Sequence, residues 1–72
     1  MITRQQIIDE AERLGFGCFP KDILMPGDTY AAKRNTGITL LTVKHVKDGI
    51  VYPTELFAYP FNIDECVKVE LL

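Results

Sequence analysis

The chain has 72 residues, of which 47% are hydrophobic, with a formal net charge of −2 and a pI near 5.2. This length predicts a single domain spanning 1–72 with a small core, since so short a chain buries only about 60% of its unfolded surface. The apolar content argues against disorder, and no apolar run approaches the roughly 20 residues that cross a bilayer. The polar N-terminal residues do not resemble a signal peptide, so we expect a cytoplasmic protein with no membrane partner.

The first predicted element is a helix from about Arg4 to Leu14. Thr3 and Gln6 fit a capping box at its start, with Ile2 and Ile7 as a hydrophobic staple. Gly15 fits the left-handed residue that ends the helix. Four apolar residues share one helical stripe and should face the core: Ile7, Ile8, Ala11 and Leu14.

Residues 16–28 contain two glycines and two prolines, which predicts an irregular connection. Within it, the apolar triplet Ile23-Leu24-Met25 is expected to enter the core as a short turn. From Thr29 onward the pattern becomes β, and turn residues divide it. Asn35-Thr36-Gly37 suits a three-residue hairpin loop, and Asp48-Gly49 suits a two-residue type I′ turn. The predicted strands lie near 29–34, 38–47, 50–58 and 65–71, with Pro53 restricting or breaking the third.

The turns also predict which residues lie opposite each other. The first loop places Arg34 opposite Ile38, and the second places Lys47 opposite Ile50 and His45 opposite Tyr52. Alternation along the strands then assigns two faces. The expected core face holds Ala31, Leu41, Val43, Tyr52 and Leu56, and the expected outer face holds Tyr30, Arg34, Leu40, Thr42, Lys44 and Val46. The predicted fold is α+β, an N-terminal helix packed on a twisted antiparallel sheet of about four strands, which could curl into an SH3-like small barrel.

Charge is distributed unevenly along this pattern. No acidic residue lies between Asp28 and Asp48, and the segment 29–47 carries four of the eight basic residues, a local charge of +4. A hairpin would hold these charges in a defined array. We therefore predict a non-enzymatic binding protein whose partner contacts this hairpin, with Tyr30 as an apolar anchor. The candidate partner-binding residues are Tyr30, Lys33, Arg34, Lys44 and Lys47.

The same hairpin could instead bind single-stranded nucleic acid or an anionic ligand, because cations meet phosphates and the Tyr30 ring could stack on a base. The acidic pI and the lack of a glycine-rich phosphate loop make a protein partner the preferred hypothesis. Self-association is a further possibility, since the acidic C-terminal third could meet the basic hairpin of a second copy in a homodimer.

Catalytic and metal chemistry have little support in the sequence. His45 is the only histidine, and no spacing links it to Cys18 or Cys66 as a nucleophile or a metal ligand. A His beside a cross-strand Tyr is more often a packed residue at the rim of a core. The two cysteines are expected to be structural thiols, with a disulfide as the alternative. We therefore expect no enzyme, no cofactor and no metal.

Aromatic residues concentrate in 52–61, where Tyr52, Phe57, Tyr59 and Phe61 occur with Pro60. Such a cluster usually completes a small core, which is our expectation here. The alternatives are a recognition groove for peptides or a dimer contact.

The N-terminal segment, residues 2–16, resembles the opening of small uncharacterised phage and prophage proteins. The shared features are a Thr-Arg start (Thr3-Arg4), an Ile-Ile stripe (Ile7-Ile8) and a glycine that ends the helix (Gly15). The resemblance covers about a fifth of the chain and carries over no functional residue. It implies a small accessory protein of a mobile element that binds and modulates a host protein.

Overall fold

The computed structural model describes residues 3–34 and 37–72. It contains one helix, one 3₁₀ turn (Ile63–Glu65) and six strands, which we number in chain order: α1 (Arg4–Arg13), β1 (Phe16–Phe19), β2 (Thr29–Arg34), β3 (Gly37–Lys47), β4 (Ile50–Pro53), β5 (Phe61–Asn62) and β6 (Cys66–Leu71). The strands form one open antiparallel sheet in the order β1-β6-β2-β3-β4-β5. The α+β class is confirmed, with six strands rather than about four, and an SH3-like barrel is not confirmed.

The helix has the capping box at its start and the glycine at its end that the sequence predicts. Thr3 accepts a hydrogen bond from the Gln6 backbone at 3.3 Å, and the Gln6 side chain accepts one from the Thr3 backbone at 2.8 Å. Gly15 has φ of 96°, the left-handed value predicted for the residue that ends the helix. Ile7 and Ala11 are fully buried, whereas Leu14 is exposed, so the stripe does not extend to the last turn. The predicted staple involves Ile2, which lies outside the described residues.

The segment after the helix contains a strand where we predicted only irregular chain. Residues Phe16–Phe19 form β1, which pairs with β6 near the other end of the sequence. Four residues carry too little periodicity to reveal a strand, and the partner is distant in sequence. Of the apolar triplet that follows, only Leu24 is buried; Ile23 and Met25 are exposed.

The β3–β4 hairpin has the predicted turn and register. Asp48 and Gly49 have φ of 53° and 75°, the positive values that a type I′ turn needs. Lys47 pairs with Ile50, and His45 pairs with Tyr52. This agreement reflects how strongly an Asp-Gly pair specifies a two-residue hairpin.

The β2–β3 hairpin is shifted by one residue from its predicted register. Arg34 pairs with Gly37 rather than with Ile38, so Tyr30 lies opposite Leu41. The predicted three-residue loop includes Asn35 and Thr36, which lie outside the described residues. A one-residue shift exchanges the partners across the whole ladder, so Tyr30 shares a face with the buried Leu41, whereas Leu40 and Lys44 of the predicted outer face are exposed.

Strand β2 separates two cores. The helix-side core contains Ile7, Ala11, Ala31, Val67 and Val69. The loop-side core, on the opposite face, contains Leu24, Tyr30, Ala32, Leu41, Val43, Val51 and Cys66. The predicted division into one core face and one outer face is therefore wrong, because both faces of the central strand are covered.

Strand β3 changes partners along its length. Its first half pairs with β2, and its second half pairs with β4 after an irregularity between Val43 and His45. The predicted third strand, 50–58, ends at Pro53. The chain then forms a loop over the loop-side core before Phe61 returns to the sheet as β5.

Candidate functional site

Tyr30, the expected apolar anchor, has no exposed surface. Its ring belongs to the loop-side core, and its hydroxyl oxygen has no hydrogen-bond partner among the described residues. Burial raises the pKa of this hydroxyl, and Cys66 and Glu55 nearby raise it further. The prediction that Tyr30 lies on an accessible face is wrong, so this residue offers no surface to a partner.

The basic residues of segment 29–47 do not form one array. Lys33 lies on the helix side, where its ammonium is 3.3 Å from the Glu10 carboxylate. Arg34 follows on the opposite face of the strand, with its guanidinium 5.8 Å from the centre of the Tyr59 ring. Lys44 and Lys47 are exposed in the second half of β3. Of the predicted site residues, Arg34 is the one that the structure places beside an exposed aromatic ring.

A group of exposed apolar side chains lies on two loops that close the loop-side core. Residues 20–28 contribute the buried Leu24, and residues 54–60 contribute the partly buried Ala58. Around these two anchors, the neighbouring apolar side chains point outward. We call them the capping-loop surface: Ile23, Met25, Leu56, Phe57 and Tyr59, all exposed.

Exposure is greatest on the second loop. The exposed fractions are 102% for Leu56, 80% for Phe57 and 73% for Tyr59. Three large apolar side chains within four residues form a cluster rather than the scattered exposed residues that are normal on a monomer. The expected role of this aromatic segment in completing the core is therefore wrong for Phe57 and Tyr59, although Phe61 does pack against the core.

The second loop is attached to the sheet by polar contacts at its base. The Thr54 backbone N–H donates to the Thr42 carbonyl at 2.9 Å, and the Thr42 N–H donates to the Glu55 carboxylate at 3.1 Å. Within the loop, the Ala58 N–H donates to the Glu55 carbonyl at 3.2 Å. The hydrogen bond from the Thr42 backbone lowers the pKa of the Glu55 carboxyl. These contacts fix the base of the loop and leave its apolar tip exposed.

The first loop borders a cleft of about 220 Å³ that combines apolar walls with charge. Its apolar lining includes Pro20, Ile23 and Ile63, and two carboxylates, Asp22 and Asp64, stand beside them. Arg4 also lines the cleft, where its guanidinium donates to the carbonyls of Pro20 at 2.6 Å and Cys66 at 3.4 Å. Arg34 thus lies beside the second loop, whose base holds Glu55, and the cleft beside the first loop combines two carboxylates with Arg4.

The remaining reactive side chains are separated from one another or buried. His45 stacks on Tyr52 with 4.6 Å between ring centres, which is the cross-strand contact that the register predicted. Cys18 and Cys66 are free thiols, and Cys66 donates to the Asn62 carbonyl at 3.4 Å. Burial raises the pKa of Cys66 to about 12, and burial together with Glu12 raises that of Cys18. Within residues 3–34 and 37–72, no three His, Cys, Asp or Glu side chains are grouped so as to hold a metal ion.

Comparison with known proteins gave no match to a family model, to a curated protein or to a solved structure. Across the described part of the chain, no helix has the length and apolar character needed to cross a membrane. The sequence analysis preferred a core role for the aromatic segment and assigned residues 50–58 to one strand, so it did not predict the exposed loop that carries Leu56, Phe57 and Tyr59. Pro53 and Pro60, which bracket this segment, were the available sign of a loop.

Proposed function

We propose that the chain is a non-enzymatic binding protein that recognises another protein through the capping-loop surface. The observation that carries this proposal is the exposed cluster of Leu56, Phe57 and Tyr59 on a loop attached to the sheet by Thr42. Aromatic residues and arginine are enriched among the residues that dominate binding energy. Arg34 beside Tyr59 supplies that combination, with a charge at the rim of an apolar centre.

The attachment of the loop also supports binding. A segment held near one conformation loses less entropy when a partner covers it, so more of the contact energy appears as affinity. The hydrogen bonds from Thr42 and Thr54 provide that restraint on the second loop. Leu24 anchors the first loop through its buried side chain.

Binding of single-stranded nucleic acid or an anionic ligand through the hairpin 29–47 has less support. Tyr30 is buried and offers no stacking surface. Lys33 is paired with Glu10, and Arg34 lies on the other face of β2. Residues 2–16 resemble the opening of small phage and prophage proteins. The accessory role that this resemblance implies stays a prediction.

The test is photo-crosslinking from position 57. A photoreactive phenylalanine analogue replaces Phe57 in one variant and Leu71, another exposed apolar residue at 76%, in the matched control. We expect a protein adduct from position 57 that Tyr59→Ser weakens and nuclease treatment does not remove. Equal crosslinking from both positions, or adducts to nucleic acid alone, would overturn the proposal. Salt titration adds a second criterion, since binding to phosphates weakens steeply as salt rises.

A further inference from the structure

The two loops that close the loop-side core carry complementary features. The second loop presents an apolar tip with Arg34 beside Tyr59. The first loop borders the cleft, where apolar walls stand beside Asp22 and Asp64. Both loops close the same core, so a molecule that covers them extends that core. A surface that carries both Arg34 and Asp64 offers each of them an opposite charge on a second copy.

We propose that the partner of the capping-loop surface is a second copy of this chain, in a dimer with two-fold symmetry. This inference rests on the proposed function of that surface. In a two-fold interface the same patch is used twice, and each contact between two different residues occurs in duplicate. Tyr59 and Arg34 of one copy meet the cleft beside Asp64 of the second copy, and the reverse contact is identical.

Apolar area favours this arrangement. Aromatic side chains bury about 150–250 Å² each at an interface. Phe57 and Tyr59 therefore provide a substantial share of the roughly 800 Å² per partner that a standard interface needs. The other three members of the capping-loop surface add aliphatic area around them. Since so short a chain has a small core of its own, association provides burial that the monomer lacks.

Charge determines how the two copies are oriented in the dimer. Asp22 already lies 4.0 Å from the Lys68 ammonium, whereas Asp64 has no ion pair among the described residues. Asp64 is thus the carboxylate that Arg34 of a second copy would meet. Arg4 is the cation within the cleft, where one of its guanidinium nitrogens donates to two carbonyl groups, and its positive charge offsets part of the carboxylate charge. Opposite charges at the rim steer and orient an interface more than they strengthen it.

The experiment is sedimentation equilibrium over a dilution series of the full chain. The wild-type protein should show a mass of twice 8.2 kDa at high concentration and dissociate on dilution. Phe57→Ser should raise the dimer dissociation constant at least about tenfold, as expected for a central aromatic residue. Leu71→Ser is the matched control and should leave the dissociation constant unchanged. Thermal unfolding of each variant checks that the fold is retained.

A charge exchange tests the orientation. Arg34→Glu and Asp64→Lys should each weaken self-association when measured alone, because each introduces like charges into both contacts. An equimolar mixture of the two variants should recover dimerisation, since glutamate faces lysine in one contact and the native pair forms in the other. Lys47→Glu, which changes an exposed charge elsewhere on the segment 29–47, should have no effect.

The outcomes separate this inference from the proposed function. A wild-type chain that stays monomeric at the highest soluble concentration overturns the dimer. The proposed function survives that result if position 57 still crosslinks to a different protein. A dimer that Phe57→Ser leaves intact, or variants whose mixture stays monomeric, also overturns the arrangement described here. A dimer that Phe57→Ser weakens and the mixture restores supports it.

Discussion

The guanidinium of Arg34 lies over the ring of Tyr59, 5.8 Å from its centre, and joins the end of β2 to the loop 54–60. The two residues are 25 positions apart in sequence, and the contact places a cation at the edge of the exposed cluster of Leu56, Phe57 and Tyr59. Because Tyr59 is exposed, the contact orients the two side chains more than it stabilises the fold.

The coupling between these two residues should be small and measurable. Tyr59→Leu and Arg34→Ala form a double-mutant cycle, and we expect a coupling free energy of about 0.5–1 kcal/mol from urea unfolding. Each single variant should unfold cooperatively. A coupling near zero would show that the cation and the ring do not meet in solution.

Removing the Glu55 carboxylate should loosen the second loop. In Glu55→Ala the Thr42 N–H loses its acceptor, whereas Glu55→Gln keeps an oxygen that can accept the bond. Chymotrypsin cleaves after aromatic residues that are not followed by proline, so cleavage after Phe57 reports on the opening of the loop, whereas the bond from Tyr59 to Pro60 resists the protease. We expect faster cleavage for Glu55→Ala and a smaller change for Glu55→Gln. Equal rates in all three proteins would mean that this bond does not restrain the loop.

Glu55 should also make stability depend on pH. Its pKa is lower in the folded chain than the ordinary value of 4.5, because the Thr42 N–H stabilises the charged form. The folded state therefore gains stability from this group above pH 4.5, and the gain is lost as pH falls through the lowered pKa. Urea unfolding at a series of pH values should show a shallower acid dependence for Glu55→Gln than for the wild type. If the unfolding free energy of both proteins fell equally steeply with falling pH, the lowered pKa of Glu55 would be contradicted.

Tyr30→Phe should leave stability unchanged or raise it by about 1 kcal/mol. The hydroxyl is buried without a partner among the described residues, so deleting it removes a group that lost its hydration on folding. Tyr30→Ala should instead cost about 3–5 kcal/mol, because it leaves a cavity in the loop-side core. Urea unfolding measures the change in unfolding free energy for both variants. A clear loss in Tyr30→Phe would show that the hydroxyl has a partner in solution.

The two thiols should differ in reactivity. Cys66 is buried with a pKa of about 12, whereas Cys18 is half-buried. A thiol reagent at neutral pH should therefore modify Cys18 first and Cys66 only as the chain unfolds. The variants Cys18→Ser and Cys66→Ser show which thiol accounts for the fast and which for the slow phase of modification. In denaturant both thiols should react quickly. Fast modification of Cys66 in the native state would contradict its placement in the core.

Local patterns predicted the parts of the fold that depend on neighbouring residues. The Thr3 and Gln6 capping box and the Asp48-Gly49 turn are set within a few positions, and both are present in the structure. Strand β1 depends on pairing with β6, about fifty residues away, and sequence periodicity contains no such information. The register of the first hairpin was wrong by one residue, which was enough to place Tyr30 on the outside.

The candidate site was predictable only in part. Arg34 was among the expected contact residues, and the aromatic segment 52–61 had a dimer contact as one of its alternatives. Its exposed tip depends on Pro53, which ends β4 opposite Val43, and on the hydrogen bond from Thr42 to Glu55; the residues of these two pairs lie 10 and 13 positions apart along the chain. Burial is a property of the assembled core, and hydrophobicity alone does not distinguish Phe57 from Phe61.

The burial of β2 on both faces also affects how this chain can evolve. Ala31 and Ala32 point to opposite cores, so a larger side chain at either position must displace packed neighbours. The capping loops face no such constraint at Leu56, Phe57 or Ile23, whose side chains project from the fold. Substitutions on these loops should therefore change what the chain binds while β2 stays nearly fixed, so a descendant of this scaffold could acquire a different partner without changing its interior.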